Sequence, residues 1–179
     1  ILTLSPSGTL IYSDVRRFGL LRLLTPKEWS AASARLGPEP LGRRLTAAGF
    51  HSLLARSRSP IHSWLLNQKN IAGAGNIYAA EALFRGRVHP ARPAKSLASQ
   101  EAEALLSGLR AVLREAIQAQ GTTLRDYRTA RGEEGNFGRA LRVYGQEGLP
   151  CPRCKTPVER IVLSNRSAFF CPHCQPEVL

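Results

Sequence analysis

The chain's four cysteines constrain it more than any other feature, because they fall as Cys151-Pro-Arg-Cys154 and Cys171-Pro-His-Cys174 near the C-terminal end. Each Cys-x-x-Cys knuckle presents two thiolates from one tight turn, and the segment between the knuckles reads as a β-hairpin. Together they make the tetrahedral S4 set of a structural Zn2+, so Cys151, Cys154, Cys171 and Cys174 are the expected metal ligands and one zinc the expected cofactor. Two disulfides would suit a secreted framework, but no cysteines are spread over the rest of the chain. A redox Cys-x-x-Cys needs a single pair at a helix N-terminus rather than two facing turns. His173 sits inside a knuckle, yet four thiolates already saturate the metal, and it reads as a bystander.

Charge narrows the partners. The 179 residues carry 25 Lys and Arg against 13 Asp and Glu, a formal +12, and only Lys27, Lys69, Lys95 and Lys155 are lysines. Zinc held by four thiolates lowers that by about two. An arginine-rich surface suits phosphate, which guanidinium grips through paired hydrogen bonds, so nucleic acid is the favoured partner. No membrane partner is expected: no basic amphipathic helix is evident, and no apolar run approaches the ~18 residues of a span.

Along the chain, Ile1 to Ser5, Thr9 to Ser13 and Phe18 to Leu24 read as strands, with a Pro6-Ser7-Gly8 turn. The apolar alternation already running at Ile1, with no methionine in the chain, leads us to expect the continuation of a sheet that starts upstream. Thr25-Pro26-Lys27-Glu28 is a capping box opening a short helix that ends near Leu36-Gly37, and Gly37 to Gly42 reads as a domain linker. Ser59-Pro60 is expected to cap a helix carrying Ile61, Trp64, Leu65 and Gln68. A glycine-rich turn, Ala72 to Asn76, then precedes a second helix from Ile77 to Phe84. Ser99 is expected to cap the longest helix, whose core stripe is Ala102, Leu105, Leu106, Leu109, Val112, Leu113, Ala116 and Ile117, with Gly121 ending it. From Thr122 to Tyr144, arginines alternate with glycines and with Tyr127 and Phe137, which is either a binding loop suited to base stacking or disordered filler.

Three places carry candidate chemistry. Gly73-Ala74-Gly75-Asn76 leads into a helix N-terminus that favours an anion, with Asn76 as a side-chain donor and Lys69 close by; an ordinary corner with Asn76 as N-cap fits the same residues. The hairpin tip Ser164-Asn165-Arg166 places an arginine to enter a groove or meet a phosphate, or leaves it as a plain turn residue. Arg16, Arg17 and Phe18 form a basic pair beside an aromatic, either a wedge for the space left by an extruded base or a strand with Phe18 in the core.

These pieces occur in the order found in one family. Asp14-Val15-Arg16-Arg17-Phe18-Gly19, Leu36-Gly37-Pro38-Glu39-Pro40-Leu41, Gly73-Ala74-Gly75-Asn76-Ile77-Tyr78-Ala79 with Glu81, His89-Pro90, Gly121-Thr122-Thr123, Val143-Tyr144-Gly145 and Arg166-Ser167-Ala168-Phe169-Phe170-Cys171 resemble formamidopyrimidine-DNA glycosylases over essentially the whole chain. The resemblance implies an α+β multidomain fold: the end of an N-terminal β-sandwich (1–38), a helix-two-turn-helix DNA-binding domain (39–146) with a lesion-recognition loop at 122–144, and a C-terminal zinc-finger β-hairpin (147–179). It implies a base-excision-repair glycosylase and abasic-site lyase. Such an enzyme removes oxidised purines, 8-oxoguanine and formamidopyrimidines, from double-stranded DNA by base flipping, Schiff-base formation and strand cleavage, acting as a monomer in the bacterial cytoplasm on nucleoid DNA.

By position, Arg16 and Phe18 match the gap-filling and wedging residues. Arg58, Lys69, Gly75, Asn76 and Tyr78 match the DNA-binding helix-two-turn-helix. Arg128, Arg131 and Phe137 match the loop over the everted lesion, and Arg166 matches the finger arginine on the lesion phosphates, assigned catalytically to the second elimination step. Two departures stand out. The family's N-terminal Pro-Glu nucleophile has no counterpart in this chain, which alone is expected to bind lesion DNA without cutting it. His62, also expected among the DNA-binding residues, stands where the family usually has a phosphate-binding lysine, with Arg56 and Arg58 near to supply charge. An endonuclease VIII-type enzyme for oxidised pyrimidines and a non-enzymatic zinc-ribbon nucleic-acid-binding protein are the alternatives.

Overall fold

A computed structural model describes residues 2–4, 8–12, 19–123 and 132–177. The chain divides into two compact units, Ile1–Ala34 and Arg35–Leu179. In the first, β1 (Leu2–Leu4) and β2 (Gly8–Leu10) form an antiparallel hairpin with Leu2 opposite Leu10. The strand expected over Phe18 to Leu24 does not form between residues 19 and 24. A strand exists only through the ladder it shares, and β1 and β2 pair with each other. Helix α1 (Pro26–Ser33) starts as its capping box requires: Glu28 N–H donates to Thr25 Oγ1 at 3.3 Å and Thr25 N–H to Glu28 Oε2 at 2.8 Å.

The second unit is built on α2 (Ala47–Leu54), α3 (Ile61–Leu66), α4 (Asn76–Gly86) and α5 (Ser99–Gln118). Phe50, Leu54, Ile61, Trp64, Leu65, Ile71, Leu83, Leu105, Leu106 and Leu109 form its buried core. The α5 stripe is buried as its period dictates, except that Ile117 stands 65% exposed beyond the last core turn. Ser99 is the first residue of α5 rather than its cap: Glu101 reaches back to accept from the Ala98 N–H at 2.8 Å, and the same carboxylate holds the Arg92 guanidinium. Helices α4 and α5 touch through Gly108, where a Cβ would stand 3.1 Å from Ala82 O and 3.1 Å from Arg85 Cβ.

Ser59 does not cap α3 either, because its hydroxyl pairs with Ser57. The first N–H groups of α3 are satisfied from outside, Ile61 by Arg92 O at 2.7 Å and His62 by Pro90 O at 3.2 Å. Gln68, expected within that helix, lies past its end and braces the glycine turn, accepting from Gly73 N–H at 2.8 Å and donating to Ala74 O at 3.0 Å.

The segment read as a linker is packed instead. Gly37 N–H donates to Gln68 O at 2.8 Å, Ala72 N–H to Pro38 O at 3.2 Å, and Arg110 Nε to Pro40 O at 2.7 Å. Composition marked the proline and glycine positions as breaking helix and strand, but not that the resulting extended backbone would have partners. A Cβ on Gly37 would fall 2.4 Å from the Asn70 carbonyl carbon and 2.7 Å from Ile71 N. Both are backbone atoms, so Gly37→Ala is expected to cost about 2–3 kcal/mol of overpacking. Thermal unfolding of the zinc-loaded protein checks this, and an unchanged midpoint would show that the strap is free to move away.

The C-terminal hairpin pairs β3 (Glu159–Leu163) with β4 (Arg166–Phe170). It joins α4 through a small core of Ala80, Phe84, Val143, Cys151, Val158 and Cys171. Arg153 lies over the Phe84 ring, 4.3 Å from its centroid, and donates to Phe84 O at 2.8 Å. Buried Gln175 donates to Val88 O at 2.8 Å and accepts from Cys171 N–H at 3.0 Å. Buried Glu81 on α4 accepts through Oε1 from the N–H groups of Arg142, Val143 and Tyr144 at 2.9, 2.9 and 3.0 Å.

Candidate metal centre and nucleic-acid interface

The four cysteine sulfurs lie within 4.8 Å of one another, with Cys151 to Cys174 at 4.0 Å and Cys154 to Cys171 at 3.4 Å. A Zn2+ with four Zn–S bonds of about 2.3 Å needs sulfurs roughly 3.8 Å apart. Backbone N–H groups inside the knuckles point at the sulfurs, Arg153 to Cys151 at 3.4 Å and Cys174 to Cys171 at 3.5 Å. The thiols are unequal: the Thr156 hydroxyl holds Cys154 down at about 6, whereas burial and the neighbouring sulfurs push Cys174 up to about 12. A dication at the centre is what allows all four to be thiolates at neutral pH. The set therefore holds one structural zinc, closed to further ligands. His173 is exposed and takes no part.

The zinc pins a hairpin whose turn is two residues long. Ser164 (φ 49°) and Asn165 (φ 61°) both take the left-handed conformation of a type I′ turn, and Leu163 pairs with Arg166. Arg166 is thus the first residue of β4 rather than part of the tip, which gives its backbone a fixed register. Its exposed side chain, with Ser164, lines an open groove of about 470 Å3 opposite Ser63, Gln68, Gly75 and Asn76.

At the groove's other wall α4 begins. Gly75 is the N-cap, in extended backbone with no side-chain bond, and a Cβ there would meet nothing within 4 Å. The start of α4, with its unpaired first-turn N–H groups and the positive end of the helix dipole, thus borders the groove. Asn76 is the first helical residue rather than the cap. Its amide runs sideways, Oδ1 to His62 Nε2 at 2.9 Å and Nδ2 donating to Ser167 O at 3.0 Å. A second tie, Ser63 Oγ to Ser164 Oγ at 3.0 Å, holds α3 to the hairpin turn.

Of the residues singled out in the sequence, Gly75, Asn76 and Arg166 are brought together in this groove. Lys69 is exposed on the turn after α3, and Arg58 is exposed before α3; neither lines the groove. Tyr78 is half-buried, its hydroxyl 3.3 Å from Thr122 Oγ1 and its ring edge-on to Phe137. Two expectations are corrected. His62 is fully buried, since α3 turns it inward against Asn76, so no edge of its ring is open to solvent. Phe137 is 1% exposed and packs on Val112 and Ala116, because the backbone at 135–137 pairs back onto 119–121 and anchors the segment there. Arg16, Phe18, Arg128 and Arg131 lie outside the described residues. Sequence reasoning missed Glu81 as a bracket and Arg153 and Gln175 as ties; a lone carboxylate within the apolar run Ala79 to Phe84 was the available signal.

The helix-two-turn-helix domain model of formamidopyrimidine-DNA glycosylase matches residues 36–128, just over half of the chain, and the zinc finger found in this enzyme and in IleRS matches residues 148–176. The chain belongs to the formamidopyrimidine-DNA glycosylase family. It is 50% identical over 168 residues to the formamidopyrimidine-DNA glycosylase of Thermomicrobium roseum, covering 93% of this chain and 58% of that protein. Among solved structures, the Lactococcus lactis Fpg bound to DNA with an abasic site superposes with a TM-score of 0.88 at 33% identity, over 96% of this chain and 64% of that one. A MutM complex with DNA containing carbocyclic 8-oxo-G gives 0.88 at 32%, over 96% and 63%. The chain thus spans about three fifths of the length of these formamidopyrimidine-DNA glycosylases. Among its described residues, no helix is long and apolar enough to cross a membrane.

Proposed function

We propose that this chain is the DNA-gripping part of a base-excision glycosylase and abasic-site lyase that removes oxidised purines, 8-oxoguanine and formamidopyrimidines, from duplex DNA. The observation that carries the reading is the groove in which the α4 N-terminus and Arg166 face each other, because it combines first-turn N–H groups with a guanidinium fork as a phosphate seat. The abasic-site and 8-oxo-G complexes of the relatives support DNA of that kind as the partner. In this reading, phosphates beside the extruded nucleotide sit between Gly75, Asn76 and Arg166. Arg166 also stabilises the phosphate that leaves in the second elimination step. Lys69 and Arg58 add charge along the strand, and Arg16, Phe18, Arg128 and Arg131 contact the gap and the lesion. The modules run 1–38, 39–146 and 147–179. The protein acts as a monomer on nucleoid DNA in the bacterial cytoplasm.

The zinc anchors β3 and β4 and supplies no reaction step, since all four of its positions are taken by cysteine. Titration of the zinc-loaded protein with duplexes carrying 8-oxoguanine, a tetrahydrofuran abasic analogue or no lesion tests the reading. Tighter binding of the lesion duplexes is expected. Asn76→Ala and Arg166→Ala are each expected to weaken binding about five- to thirtyfold, and Arg166→Ala to lower the slope of log K against log salt by about one. Equal affinity for damaged and intact duplex would reduce the chain to a non-specific zinc-ribbon binder. Preference for oxidised pyrimidines would move it to the endonuclease VIII branch.

A further inference from the structure

His62 is the one buried histidine that faces the groove's wall, and its partners determine its chemistry without reference to any assigned hydrogen. Ser167 O is a backbone carbonyl and can only accept, so the end of the Asn76 amide that meets it at 3.0 Å must be the NH2. The opposite end, facing His62 Nε2 at 2.9 Å, is then the carbonyl oxygen, and an acceptor there requires Nε2 to carry a proton. His62 Nδ1 is buried and finds no hydrogen-bond partner among the described residues. Burial also pushes the ring's pKa down, so Nδ1 stays bare and the ring neutral.

Resting on the DNA-binding reading above, we infer that His62 is a positioning residue: its neutral Nε2–H form locks the Asn76 amide so that its two N–H bonds face the hairpin and the groove. One N–H is taken by Ser167 O, one residue beyond Arg166 on β4, and the other is left for a phosphate oxygen. Without the donation from His62, the amide is free to turn its oxygen toward the groove, where it would repel phosphate and lose the Ser167 link. The buried imidazole thereby sets both the polarity of Asn76 and the distance between α4 and the strand carrying Arg166.

The spectroscopic test needs no variant. In 15N-labelled, zinc-loaded protein, long-range 15N–1H correlation should show His62 with a pyrrole-type Nε2 and a pyridine-type Nδ1; the reverse assignment overturns the inference whether or not the protein binds DNA. His62→Phe, which keeps a ring but has no donor, should weaken binding of the tetrahydrofuran duplex about five- to tenfold, the equivalent of one hydrogen bond. It should add nothing in an Asn76→Ala background, because the two act through one amide. His62→Gln, which restores an N–H donor, should recover most of the loss. Full affinity in a folded His62→Phe, or additive losses in the double variant, would show that His62 merely fills space. If the parent protein fails to bind the duplex, the functional reading falls, while the tautomer assignment still decides the lock.

Discussion

Removing the zinc, by chelation or by Cys171→Ser, should melt residues 147–177 while α2 to α5 stay folded. The two strands are five residues each, and what they bury beyond the cysteines is little more than Val158, Ala168 and Phe170. A two-stranded hairpin of that size does not hold itself together in water, whereas zinc coordination supplies roughly 10–16 kcal/mol that is felt as folding free energy. The helical core is separate, centred on Phe50, Trp64, Leu83 and Leu109, and loses no metal ligand. Hydrogen exchange should therefore show the amides of β3 and β4 unprotected and those of α5 unchanged. Loss of the hairpin removes Arg166, Ser164 and the Ser167 carbonyl from the groove together. Affinity for the tetrahydrofuran duplex should fall on the order of a hundredfold, more than Arg166→Ala alone. Protected hairpin amides in chelated protein would mean that the ties through Arg153 and Gln175 suffice without metal.

Glu81→Ala should be among the most destabilising single changes outside the cysteines. Three consecutive N–H groups, Arg142 to Tyr144, converge on one carboxylate oxygen that is itself buried. Truncation leaves them without an acceptor where water has poor access, at a cost of about 3–5 kcal/mol, or about 10 °C in unfolding midpoint. Glu81→Gln keeps the accepting oxygen but sets an NH2 where Oε2 finds no partner among the described residues. An intermediate loss of about 1–2 kcal/mol is the expectation. Because the 142–144 turn leads into the zinc module and Val143 lies in its core, the alanine variant should also loosen the hairpin in hydrogen exchange. A change below about 1 kcal/mol for Glu81→Ala would show that the turn is held by Val143 packing alone.

What could be read along the chain was whatever depends on neighbours in sequence. Knuckle spacing marked Cys151, Cys154, Cys171 and Cys174 as one site, the Thr25 box started α1, and the period of Leu105, Leu109 and Val112 drew α5 and its buried face. Each follows from local geometry: two thiols per turn, a side chain reaching three residues on, 3.6 residues per turn. Contacts between distant segments were decided by tertiary structure. Gly37 became a packed strap because it meets Asn70 and Ile71. Phe137 went into the core, and His62, fourteen residues before Asn76 and turned inward by α3, became the amide's partner instead of a surface cation. Whether a polar side chain faces water or another residue depends on which elements the fold lays against it, and no spacing within one element carries that information.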